Sequence, residues 1–211
     1  MADSKLLQQI SRKGSNKEQI AEQVIEQPDL LSEIFEGLNS DQANIKYGCD
    51  KILRRISEKA PELLYPHFGF FANNLSSENT FFKWGAIHIL ANLAAVDAEN
   101  KFEKIFDDYF APIPGPVLIT AANVIKGAAK IASAKPHLAE RIAQALLPVE
   151  KAKYQNAECR NIALGQVIKT VGQFFDQIKD KEPMIKLVRK QLKNSRNATK
   201  KVAETFMKKN L

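Results

Sequence analysis

Thr80-Phe-Phe-Lys-Trp-Gly-Ala-Ile-His-Ile-Leu-Ala-Asn-Leu-Ala94 is the stretch whose reading decides the fold. Phe82, Gly85/Ala86, Ile89/Leu90 and Leu93 recur at steps of three and four, so they line one side of an α-helix. Trp84, His88 and Asn92 share another flank in i, i+4 register. Gly weakens an isolated helix by roughly 1 kcal/mol relative to Ala. Gly85 inside the apolar stripe therefore predicts a neighbouring element that comes close to the backbone. This helix needs partners on both sides, and the rest of the chain supplies them.

Outward from it, short helix, polar break and longer helix alternate. Residues 4–12 and 16–26 read as a polar first pair broken at Lys13-Gly14-Ser15. Asp29 is the expected N-cap of a helix over 30–38, followed by one over 44–57. Pro61 opens a helix to Leu75 that precedes the 80–94 helix. Further pairs are expected at 100–110 with 117–133, 136–147 with 157–175, and 183–193 with 198–209. Ile45/Ile52/Ile56 superimpose on Phe82/Ile89/Leu93 after a shift of 37, and Gly48 lands on Gly85. Self-similarity of this length with two helices per unit is the signature of an α-solenoid, because one pair cannot bury its own apolar stripe. The fold class expected is all-α: a right-handed α-α superhelix of about five to six antiparallel helix pairs. Ile113 to Ile119 is the one β-like fragment, and its prolines make it a loop.

The run Leu30-Leu-Ser-Glu-Ile-Phe-Glu-Gly-Leu-Asn-Ser-Asp41, with Asn44-Ile-Lys46 and the helix after it, resembles a HEAT repeat. In that family a short Asn/Asp-containing turn leads to a second helix that opens with an apolar and then a basic residue. Ile45-Lys46, Phe82-Lys83, Cys159-Arg160 and Thr199-Lys200 follow this pattern, while Leu118-Ile119 departs from it. The resemblance covers about residues 28–211 and implies a single solenoid domain over 1–211, with 1–27 an N-terminal helical cap. It also implies that second helices line a concave, partner-binding surface. The basic residues of the turn motif would bond to turn acceptors of their own or the next repeat.

The 211 residues are 45% hydrophobic and 26% charged, ordinary for a globular chain. No apolar run approaches the roughly 20 residues that span a bilayer, and residues 1–10 have no signal-peptide pattern. Cys49 and Cys159 cannot make a disulfide framework, so reduced thiols and a cytoplasmic location are expected. Charge is uneven: from Lys151 onward 15 Lys/Arg face 5 Asp/Glu, a net of +10, whereas the first 150 residues carry −3. Such asymmetry fits either a surface for nucleic acid or a lysine-rich, solvated end cap.

His67, His88 and His137 lie in different repeats with no Cys or carboxylate at metal spacing, so no metal site is expected. No phosphate-binding glycine loop or nucleophile elbow occurs. Asp107-Asp108 point about 100° apart on a helix and read as solvated surface. No catalytic residue and no cofactor follow from the sequence. The constellation that remains is the non-core flank of the second helices: Tyr47, Lys51 and Arg55, then Trp84, His88 and Asn92, with Asn123, Lys126, Lys130 and Lys169 extending the row, Lys126 and Lys130 foremost. Aromatics beside cations and amides suit stacking combined with hydrogen bonding. A protein partner held there, with no catalysis, is the expected function. The alternative is nucleic-acid binding through Lys186, Arg189, Lys190 and Lys193. Less favoured is a HEAT-like alkylpurine DNA glycosylase, a family this chain resembles only in architecture, with Asp50 its one candidate acid.

Overall fold

The computed structural model describes residues 4–210. Met1 to Asp3 of the expected cap and Leu211 of the last repeat lie outside the described residues. Among those described, every regular element is helical: α1 (Lys5–Ser11), α2 (Lys17–Glu26), α3 (Leu31–Gly37), α4 (Ala43–Lys59), α5 (Pro61–Leu64), α6 (Phe68–Asn73), α7 (Thr80–Leu93), α8 (Lys101–Lys104), α9 (Phe106–Phe110), α10 (Leu118–Ala134), α11 (Ala139–Leu146), α12 (Ala157–Val171), α13 (Glu182–Gln191) and α14 (Asn197–Asn210). Short 3₁₀ turns join several of them.

Local chemistry sets the helix starts. The side chains of Ser4, Asn16, Asn79 and Asn156 accept backbone N–H bonds in the first turns of α1, α2, α7 and α12. Asp29 does not cap as expected. Pro28–Leu30 form a 3₁₀ turn, and α3 begins at Leu31 without a side-chain cap. The helix expected from Pro61 to Leu75 is broken into α5, a 3₁₀ turn at Tyr65–His67, and α6. Pro66 lacks the N–H that a continuous helix needs.

The chain forms two compact units, one up to Lys101 and one from Phe102 onward. In the first, α4 is central, packed by α1 and α2 and by α7. It buries Ile45, Cys49, Ile52, Leu53 and Ile56, while α7 buries Ala86, Ile89, Leu90 and Leu93. The N-terminal pair is tied in by Leu6, Ile10, Ile20 and Val24, all buried, and by Asn44 donating to the Ser11 carbonyl at 2.7 Å. In the second unit α12 lies beside α10 and α14, with Val124, Ile131, Val167, Ile168, Val171 and Phe206 buried.

Polar bonds recur at about one repeat's separation. Lys59 meets Glu22 at 2.6 Å and Asn92 donates to Ser57 Oγ at 2.9 Å. In the second unit Arg141 meets Asp107 at 2.9 Å, Arg196 meets Glu158 at 2.7 Å, and Thr199 Oγ1 donates to the Asn161 carbonyl at 2.7 Å. Among the described residues the expected ladder through Lys46, Lys83, Arg160 and Lys200 does not form. The turn acceptors are already committed to local backbone: Ser40 Oγ to the Gln42 N–H, Ser77 Oγ to Asn79, and Asn194 Oδ1 to Arg196. The inter-repeat rungs come from other positions.

Candidate interaction surface

Helix starts fix the register of the second helices. Counted from Ala43, Thr80 and Leu118, the ninth residues of α4, α7 and α10 are Lys51, His88 and Lys126. The thirteenth are Arg55, Asn92 and Lys130, and α12 continues with Gly165 and Lys169. Counted within each helix, the residues read from the sequence thus stand at the same distance from the helix start in α4, α7 and α10. Its members are not equally available. Arg55 Nε lies 3.1 Å from Glu18, and its Nη1 donates to Glu58 at 2.8 Å. Asn92 serves Ser57. Lys51 and Lys126 are exposed and, among the described residues, have no carboxylate partner. Trp84 and His88 are half-buried, and Lys130 is exposed.

Sequence reasoning missed Phe81. The residue is 48% exposed, its ring 4.8 Å from that of Tyr47 and 5.7 Å from that of Trp84. Asn79 reaches the Tyr47 hydroxyl at 3.5 Å. The doublet Phe81-Phe82 carried a signal, because neighbours about 100° apart on a helix cannot both enter a narrow apolar stripe.

The second candidate patch is partly neutralised. On α13, Lys190 Nζ lies 2.6 Å from Glu150 and Lys186 Nζ lies 3.8 Å from Glu182. Arg189 and Lys193 are exposed, with no carboxylate partner among the described residues.

Asp50 is 5% exposed and accepts from Arg54 Nε at 2.9 Å. Burial raises its pKa, and the Arg54 charge and hydrogen bond only partly oppose that. The cavity it borders, with Leu53, Phe71 and Ala86, measures about 10 Å³, far too small for a nucleobase. Cys49 is fully buried, and desolvation pushes its thiol up to about 12, which keeps it protonated and unreactive. Among the described residues no three His, Cys, Asp or Glu side chains cluster to hold a metal. His67 stacks on Phe35 at 4.4 Å, and His137 meets Glu103 at 2.8 Å. An open groove of about 1010 Å³ is lined by Gln8, Gln23, Gln27, Glu33, Ser40 and Ile45 among others, and not by Tyr47, Lys51 or Arg55. No described helix is long and apolar enough to cross a membrane.

Comparison with family models and with curated protein sequences returns no match. Solved structures do match. A designed armadillo repeat protein aligns over 96% of this chain and 89% of its own, with TM-score 0.63 and 16% identity. A second engineered protein, a structural-genomics target, aligns over 96% and 86%, with TM-score 0.59 and 14% identity. A chain from the structure of the Pds5-Scc1 complex, concerned with cohesin function, aligns with TM-score 0.56 and 15% identity; 89% of this chain covers 29% of that one. The chain is thus an all-α solenoid of the HEAT/armadillo type. That is the fold the helix-pair period implied.

Proposed function

We propose that this chain is a non-catalytic interaction module that holds a macromolecular partner, most readily a protein, along the exposed flank of its second helices. The observation that carries this is that Lys51 and Lys126, unneutralised cations among the described residues, stand at the same distance from the helix start in α4 and α10. Charges that stabilise nothing within the fold are available to a partner. The fold adds support, since stacked helix pairs offer extended surface rather than an enclosed pocket. Scc1 is in the complex of the Pds5 neighbour, which is consistent with a protein partner here. The two compact units are read as one solenoid domain with residues 1–27 as its cap. A cytoplasmic location suits the two free cysteines. The test is affinity capture with the wild-type chain beside Lys51→Glu and Lys126→Glu variants; a partner retained equally by all three rejects the reading.

Nucleic-acid binding is the second reading, favoured by the charge from Phe102 onward, where 20 Lys/Arg face 10 Asp/Glu. Phosphate-driven binding falls steeply with salt, so a salt series with duplex and single-stranded oligonucleotides separates the two. Glycosylase chemistry gains no support from Asp50, which is paired with Arg54 beside a cavity too small for a base.

A further inference from the structure

Three rings from α4 and α7 adjoin one another: Phe81 is exposed, between half-buried Tyr47 and Trp84. An aromatic side chain in water forgoes burial worth roughly 25 cal/mol per Å². Lys51 stands one turn beyond Tyr47 on α4, exposed and, among the described residues, without a carboxylate. The Lys17 side chain lies against the same helix at Gly48. Its ammonium donates to the Ile10 carbonyl at 2.8 Å and to Ser15. Burial, and then the charge of Lys51, lower its pKa, so two like charges sit on this side of α4. Among the described residues Lys46 and Lys83, next in sequence to Tyr47 and Trp84, make no ion pair either. An apolar centre with a cationic rim is the complement of a segment that is apolar at one residue and acidic around it.

We infer that the Tyr47–Phe81–Trp84 patch docks an acidic protein segment carrying one apolar anchor, the anchor packing on Phe81 and the carboxylates meeting Lys51. This rests on the interaction reading above and specifies its partner. A nucleic acid fits the patch less well, for two reasons. Up to Lys101 the chain has 11 Lys/Arg against 14 Asp/Glu, so it lacks the extended positive field that a long phosphate backbone needs, whereas a short acidic segment needs only the local lysines. The rings also meet at 45° and 66°, so they do not present the parallel faces on which successive bases stack.

Trp84 is the chain's single tryptophan, so its emission reports on the patch directly. The probe is a short peptide of Glu and Asp with a central Leu, titrated into the full chain at low salt. Parallel titrations use the same peptide with Ser for Leu, a Lys-rich peptide with the central Leu, and oligodeoxythymidine. The expected result is a saturable shift of Trp84 emission with the acidic Leu peptide, weakened at least about fivefold by Phe81→Ala and by Lys51→Glu. Both substituted side chains are exposed, and circular dichroism verifies that each variant keeps its helices. No shift, an equal shift with the Ser peptide, or insensitivity to both substitutions overturns the inference. A response to the Lys-rich peptide or the oligonucleotide alone also overturns it but leaves the second-helix face as the interaction surface. Captured partners indifferent to Lys51→Glu and Lys126→Glu bring down the broader reading instead.

Discussion

Gly85 of α7 rests against the carboxylate of Asp50 on α4: a Cβ at Gly85 would stand 2.1 Å from Asp50 Oδ1 and 3.0 Å from its Cγ. The neighbour that the apolar stripe demanded is thus a buried polar group, and the missing side chain makes room for it. Gly85→Ala should destabilise the fold by about 1–3 kcal/mol, the usual cost of overpacking. Gly69 is the control. It lies in α6 with nothing within 4 Å of its added Cβ, so Gly69→Ala should be neutral or gain about 0.5–1 kcal/mol. Urea unfolding of both variants checks this, and equal effects would contradict it.

The same carboxylate predicts a pH dependence. Burial holds the pKa of Asp50 above its ordinary 3.8, so the folded chain binds this proton more tightly than the unfolded chain. Stability from this group is therefore lost as pH rises from the ordinary value through the raised one. Asp50→Asn is neutral throughout. The Tm of Asp50→Asn minus that of wild type should grow as pH rises above the ordinary carboxylate value. A flat or falling difference refutes the assignment.

Glu140 of α11 accepts the backbone N–H groups of Lys179 at 2.9 Å and Asp180 at 3.1 Å, closing a loop one repeat away. Burial alone would raise its pKa. Bonds from Gln144 and from those two amides outweigh it, and the pKa is lowered. Glu140→Ala should cost up to about 1 kcal/mol, because water replaces the carboxylate at the two exposed amides. Hydrogen exchange at Lys179 and Asp180 should quicken selectively, with Glu140→Gln showing a smaller effect. Unchanged exchange at those amides would rule out the tether.

The sequence made the helix pairs legible because apolar residues at three- and four-residue steps are a local property. Gly48 and Gly85 were legible for the same reason, as small residues in a stripe. What it hid depends on residues a whole repeat apart. Arg55 looked like a surface cation, but Glu18 and Glu58 hold it. Asn92 looked available, but Ser57 of the preceding second helix takes its amide. The Lys46–Lys83–Arg160–Lys200 ladder failed because Ser40, Ser77 and Asn194 cap their own turns. Residue type gives no warning of that competition.

The measurement that bears most directly on the interaction face is the affinity of a captured partner for four proteins: wild type, Lys51→Glu, Lys126→Glu and Lys104→Glu. Lys104 is an exposed cation on α8, a first helix, and controls for net charge. Reversal at Lys51 or Lys126 should weaken binding by about fivefold or more, with Lys104→Glu close to wild type. Equal losses for all three would mean that only net charge matters, and losses confined to Lys104→Glu would place the partner on the opposite helices; either result contradicts the account.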